Sequence, residues 1–278
     1  MTIPPPTPNS ALKNPAASPM RSRRTGEVAT VPMLRAVAAT ADSLLEPLAS
    51  EPGRAALFLD FDGVLAPIVD RPDDAAAPPE TRAELGRLAG RYALVAVVSG
   101  RTSEDVRTRV GIDAIRYVGS HGLELDPQAE RWRRTLAAFA ADAPWPRSQV
   151  EPKGLSVSFH YRDRPDEREA LRELEKIADT ARAEGLVARF GRKILEVLPP
   201  TGSNKGTAIR HLLDEAGLDR ALVAGDDTTD LDSFRAVDGL EWPVRVAVVS
   251  PESPSLLRDQ ADVAVESTDE FLELLRRL

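Results

Sequence analysis

One short form recurs along this chain: an apolar run of five or six residues closed by a polar one. Residues 55–60 (AALFLD), 94–99 (LVAVVS) and 221–226 (ALVAGD) share it, and 244–249 is a further apolar run. Runs that are apolar throughout, rather than alternating, suit strands buried on both faces. Helical spacing occupies the intervals between them, at 80–91, 102–110, 204–216 and 229–236. Buried strands alternating with helices imply an α/β fold, a Rossmann-like parallel sheet with helices on both faces. In such sheets ligands bind beyond the carboxyl ends of the strands. The residue closing each run is therefore where chemistry is expected.

Residues 124–199 break this rhythm. They read as a strand or hairpin, a helix, a strand at 155–161, a long helix at 166–184, and two strands around 187–190 and 193–197. The strand runs alternate, as in an antiparallel sheet with one covered face. The expectation is an α+β cap domain at 124–199 inserted into a core of 51–123 and 200–278, with Pro199-Pro200 marking the return. Residues 1–50 are expected to be a tail and a leading helix, the helix at 34–50. The first 33 residues are rich in Pro, Ser, Thr and Ala, lack an apolar run and are expected to be disordered. Arg21, Arg23 and Arg24 with no acid before residue 27 give the charge bias of a transit peptide, but without its amphipathic helix. Nothing approaches the ~20 apolar residues of a membrane span. The expectation is a soluble, cytoplasmic protein, monomeric, with no membrane or nucleic-acid partner.

Composition narrows the chemistry. The chain has no cysteine and three histidines, which excludes thiol nucleophiles, iron–sulfur clusters and cysteine-ligated zinc, and argues against a histidine metal site. With 36 Lys+Arg against 44 Asp+Glu, the formal charge is −8, against non-specific nucleic-acid binding. Metal or acid–base chemistry must then run on carboxylates, which favours hard, oxygen-preferring ions such as magnesium. Only five of the basic residues are lysine.

Four segments stand at the expected strand ends and helix starts. In Asp60-Phe61-Asp62-Gly63-Val64-Leu65, two acids spaced i, i+2 can approach one phosphoryl group, one as nucleophile and one handling the leaving oxygen's proton. Alone, this could equally be a strand-to-loop turn with two solvated acids. Ser99-Gly100-Arg101 offers a hydroxyl and backbone N–H groups at a helix start, which suit a phosphate as well as an ordinary cap. Lys205, before Gly206, also opens a helix, and the spacing is not that of a Walker lysine. Asp226, Asp227, Asp230 and Asp232 put four acids into seven residues after a buried strand. Such crowding is unfavourable without a cation.

In this order the four segments resemble the signature of the haloacid-dehalogenase-like phosphatases, from about residue 55 to 278. Further segments are similar to the trehalose-6-phosphate phosphatase family within that group. They are Gly119-Ser120-His121-Gly122 with Glu124, Glu151-Pro152-Lys153, His160-Tyr161-Arg162, and Gly191-Arg192-Lys193 with Glu196. Taken one at a time, His160 and Tyr161 could be strand core, and Lys153 and Glu196 a surface ion pair worth under about 1 kcal/mol.

The resemblance implies that Asp60 is phosphorylated and that Asp62 serves as acid, then base. Magnesium is held by Asp60, the Asp62 carbonyl and Asp226, with waters ordered by Asp227 and Asp230. Ser99 and Lys205 bind phosphate, and Arg101 shapes that pocket. From the cap, Glu151, Lys153 and Glu196 contact sugar hydroxyls, with His121, His160 and Arg162 as further contacts. The implied substrate is a small molecule, trehalose 6-phosphate. A related sugar phosphatase, acting on sucrose phosphate or a mannosyl phosphoglycerate, and a non-catalytic sugar-phosphate sensor remain alternatives. Two positions depart from the family pattern: Val64 stands where Thr is frequent, and Leu231 where an acid is common. Val64 is expected to cost little, and Leu231 to alter the surroundings of the metal rather than activity.

Overall fold

The computed structural model describes residues 41–69, 71–191, 193–251 and 253–278. The tail at 1–33 and the first part of the leading helix lie outside them. In chain order the elements are α1 (Ala41–Ser50), β1 (Ala55–Leu59), α2 (Pro79–Ala89), β2 (Leu94–Val98), α3 (Ser103–Val110) and β3 (Arg116–Val118). Then come α4 (Arg133–Asp142), β4 (Val150–Pro152), β5 (Val157–His160), α5 (Glu167–Ala183), β6 (Val187–Gly191) and β7 (Ile194–Leu198). The chain closes with α6 (Lys205–Ala216), β8 (Arg220–Gly225), α7 (Asp230–Ala236), β9 (Trp242–Val248), α8 (Ser255–Gln260), β10 (Val263–Val265) and α9 (Thr268–Leu275).

Six strands form a parallel sheet in the order β10-β9-β8-β1-β2-β3. Strand side chains alternate between its two faces. Leu57 and Leu59 of β1 enter one apolar layer with α1, α2, α3 and α9, and Ala56 and Phe58 enter the other with α6, α7 and α8. Every residue of β1 is buried, which is why its sequence shows no polar alternation. Each fully buried Leu or Phe side chain contributes about 1.5–3 kcal/mol. Sequence order runs outward from β1 on one side and from β8 on the other. Their junction is the switch point of the sheet, where a crevice opens beyond the strand ends.

The insert between β3 and α6 carries a second, antiparallel sheet in the order β4-β5-β7-β6. Its covered face (Val157, Phe159, Leu195, Val197) packs on α4 and α5, with Phe139 edge-on to Phe159 at 6.1 Å. The α/β core and the inserted α+β layer are as the sequence implies. One expectation fails. The start of the insert is not a strand or hairpin: a 3-10 turn that begins in the core at Ser120 runs into it as far as Leu125, and a second spans Ala129–Trp132. Ser120, His121 and Gly122 all take positive φ, so the chain cannot stay extended there. The Glu124 carboxylate holds the turn by accepting the N–H groups of Gly119 (3.2 Å) and Ser103 (2.9 Å). No helix of the described residues is long and apolar enough to cross a membrane.

Candidate active site

The segments after β1 and β8 meet because Leu59 stands beside Ala224. This brings Asp60 and the turn at Gly63 up against Asp226. Gly63 permits the approach: its φ is 81°, and a Cβ there would lie 2.3 Å from Asp226 Oδ2. Lys205 arrives on the first turn of α6, whose start is fixed by a reciprocal capping box between Asn204 and Thr207. Its ammonium stands 2.9 Å from Asp60 Oδ2 and 2.8 Å from Asp230 Oδ1. Asp230 Oδ2 accepts the backbone N–H groups of Asp226 and Asp227, each at 3.2 Å. Asp60 Oδ1 accepts the N–H of Phe61 at 2.7 Å.

Carboxylate oxygens of Asp60, Asp226 and Asp230 can all come within 4.8 Å of one another, and all three residues are buried. Burial pushes the Asp60 carboxyl up to about 7, and the Lys205 ammonium, shared with Asp230, only partly offsets it. Burial also opposes the charge on Lys205, but Asp230 and Asp60 raise it above the ordinary lysine value. Three buried carboxylates brought this close together are an all-oxygen donor set, which fits a divalent hard cation such as magnesium.

Arg101, expected to shape the phosphate pocket, is engaged by Asp62. Its Nε and Nη2 hold the two carboxylate oxygens of Asp62 at 2.7 and 2.9 Å. Nη1 pairs with Asp105 at 2.9 Å, Nη2 also donates to the Pro72 carbonyl at 3.0 Å, and the guanidinium lies over the Phe61 ring. Arg109 grips Asp105 from the far side at 2.9 Å. A bidentate guanidinium sets the plane of a carboxylate as well as its charge. Asp105 and Arg109 were not singled out from sequence, although a 101, 105, 109 spacing of Arg, Asp and Arg is a signal for such a chain. Ser99 closes β2, fully buried, with its Oγ accepting the Arg101 N–H at 3.2 Å.

The uncovered face of the smaller sheet carries a polar row. Glu151, Ser158, Glu196 and Arg189 are register neighbours across β4, β5, β7 and β6. His160 Nε2 lies 2.9 Å from Glu151 Oε2, and Lys153 Nζ 3.5 Å from the same oxygen. Burial opposes ionisation of Glu151, but these two groups outweigh it and hold the carboxyl below its ordinary value. Glu196 is not half of a surface pair with Lys153. It is 3% exposed and meets His121 Nε2 at 2.9 Å. Burial opposes its charge too, yet His121, Lys153 and Arg189 bring it down to about 2.

Between the row and the strand ends lies a cleft of about 610 Å³, within the range of small-molecule sites. Asp60, Asp62, Ser99, Arg101, His121, Glu151, Lys153, His160, Arg162, Glu196, Lys205, Asp226 and Asp227 line it, Arg162 with an exposed side chain. Asp230 lies behind Lys205 instead. Ile68 and Val69, exposed apolar residues absent from the expected set, also line the cleft. Val64 and Leu231 both fill apolar layers, so Leu231 bears on packing, not on the surroundings of the acids.

The family model described as trehalose-phosphatase matches residues 58–267. A trehalose-phosphate phosphatase of Mycobacterium ulcerans is 36% identical over 207 residues, 66% of this chain and 52% of that protein. This chain thus spans about half the length of the curated relatives it matches. Among solved structures, a trehalose-6-phosphate phosphatase related protein superposes with a TM-score of 0.63 at 26% identity, over 80% of this chain and 95% of that one. The C-terminal domain of the Candida albicans trehalose-6-phosphate phosphatase shares the fold, with a TM-score of 0.68 at 22% identity over 85% and 96% of the two chains. With a family match over most of its length, carrying the acids, the lysine and the polar row of the cleft, the chain belongs to the trehalose-phosphatase family.

Proposed function

We propose that this chain is a magnesium-dependent phosphatase that hydrolyses trehalose 6-phosphate to trehalose and inorganic phosphate, with residues 51–123 and 200–278 as its core and 124–199 as its cap. One observation carries the reading: the Asp60–Lys205–Asp226 cluster at the sheet's switch point faces Glu151, Lys153 and Glu196 across one cleft. A phosphoryl group suits the first side. The second suits a sugar, whose many neutral hydroxyls bind best to charged partners.

Asp60 attacks phosphorus in line, so an Asp60 oxygen–phosphorus bond forms as the bond to the sugar 6-oxygen breaks. Asp62 gives its proton to that oxygen, then takes one from the water that hydrolyses the aspartyl-phosphate. Asp60, the Asp62 carbonyl and Asp226 would hold magnesium; Asp230 steers Lys205 and the backbone of Asp226 and Asp227, and Asp227 would order water beside the ion. When bound, the ion supplies neutralisation of the charge gathered around the phosphoryl group. Ser99 and Lys205 take phosphate oxygens. Arg101 fixes the plane of Asp62. Glu151, Lys153 and Glu196 orient the sugar, and the cap excludes bulk water.

Phosphate release from a panel of trehalose 6-phosphate, sucrose 6-phosphate and mannosyl phosphoglycerate, with magnesium and with EDTA, tests this. The expected result is turnover of the first, at least about tenfold above the others in kcat/KM, and none in EDTA. Preference for another sugar phosphate would reject the substrate, and binding without turnover in magnesium would reject the enzyme.

A further inference from the structure

A contact between nearly buried side chains joins the core to the insert: His121 Nε2 lies 2.9 Å from Glu196 Oε2, the two side chains 14% and 4% exposed. Glu196 sits within the polar row, and its Oε1 accepts from Ser156 Oγ at 3.4 Å. His121 comes from the turn after β3. That turn is held in an unfavourable shape, with φ of 51° at Ser120 and 54° at His121. The left-handed region is unfavourable for a residue with a Cβ, and such outliers persist where the surroundings over-determine them.

The surroundings here are the phosphate end of the cleft. The Ser120 N–H donates to the Arg101 carbonyl at 2.7 Å and the His121 N–H to the Ser99 carbonyl at 2.9 Å. The imidazole lies over Gly100, where a Cβ would be 2.6 Å from its Cε1 and Nε2. The peptide that presents His121 to the insert is thus bound to the Ser99-Gly100-Arg101 segment.

We propose that His121 is a positioning residue: it holds the Glu196 carboxylate and ties the sugar-facing row to the phosphate-binding segment, rather than serving as a sugar ligand itself. This rests on the phosphatase reading above. The depressed Glu196 carboxyl, caused in part by the His121 charge, is consistent with a formed pair. Sugar bound to the row is then held in a fixed register with phosphate bound near Ser99, and small misplacements of reacting groups are costly in rate.

The test is a double-mutant cycle of His121→Ala and Glu196→Ala, with His121→Gln as the variant that keeps an N–H donor. Each protein is assayed on trehalose 6-phosphate and on p-nitrophenyl phosphate, and by thermal unfolding without substrate. We expect His121→Ala to lower the ratio of kcat/KM for trehalose 6-phosphate to that for p-nitrophenyl phosphate about tenfold. His121→Gln should recover most of that ratio, and adding His121→Ala to Glu196→Ala should change it little. Losses that simply multiply in the double variant, or a glutamine no better than alanine, would overturn the proposal. If the wild type turns over p-nitrophenyl phosphate but not trehalose 6-phosphate, the substrate reading fails. The unfolding cycle then decides: coupled melting shifts support the pair, and additive shifts overturn it.

Discussion

Burial raises the Glu196 carboxyl, and the charges of His121, Lys153 and Arg189 more than reverse it, down to about 2 from an ordinary 4.5. A carboxyl held lower in the folded than in the unfolded chain adds stability above its ordinary value, and that contribution is lost as pH falls from about 4.5 toward 2. In urea titrations, the stability gap between the wild type and Glu196→Gln should therefore narrow by roughly 3 kcal/mol from neutral pH to pH 2. A gap that stays constant would contradict the assignment. A net charge of −8 reveals nothing of this carboxylate, because its partners come from separate elements. The same holds for Asp62 and Arg101, which are 39 positions apart. The spacing of Asp60 and Asp62, read with the three later segments, marked them as candidates, while the clamp on Asp62 emerges only when β1 and β2 lie side by side.

Among the elements, α6 carries the lysine on its first turn, so its start must be fixed. The Asn204 side chain accepts the Thr207 N–H at 2.9 Å, and the Asn204 N–H donates to Thr207 Oγ1 at 3.0 Å. Asn204→Ala should cost about 0.5–2 kcal/mol in urea unfolding and lower kcat as the lysine loses its seat. Unchanged stability and kcat would show that the cap is dispensable. The helical pattern at 204–216 was readable from sequence, though not its cap at Asn204; so were the buried strands β1, β2 and β8, because a parallel sheet covered on both faces leaves continuous apolar runs. The three-residue strands β4 and β10 are too short to show a period. The opening of the insert was misread as a strand or hairpin because the short 3-10 turns there, ending at Leu125 and spanning Ala129–Trp132, leave no period of their own in the sequence.

For the molecule as a whole, the proposed substrate is an anion entering a chain of negative net charge, so attraction would have to be local. Lys205, the helix starts and a bound cation would provide it against the sign of the whole. A cation that binds only the folded protein stabilises it by roughly 2.7 kcal/mol at one hundred times its Kd. Magnesium should raise the Tm of the wild type and leave that of Asp226→Asn nearly unmoved in a thermal scan; an equal rise in both would place the ion elsewhere. The two sides of the cleft should also separate in kinetics. Glu151→Ala should depress kcat/KM on trehalose 6-phosphate far more than on p-nitrophenyl phosphate, and equal losses would remove Glu151 from sugar recognition. Attack of Asp60 on phosphorus is what turnover rests on, and phosphate release from trehalose 6-phosphate in saturating magnesium, wild type beside Asp60→Asn, tests it. Turnover should be at least about 1,000-fold slower in the variant, with its melting transition retained, whereas near-normal turnover in Asp60→Asn would rule Asp60 out as the nucleophile.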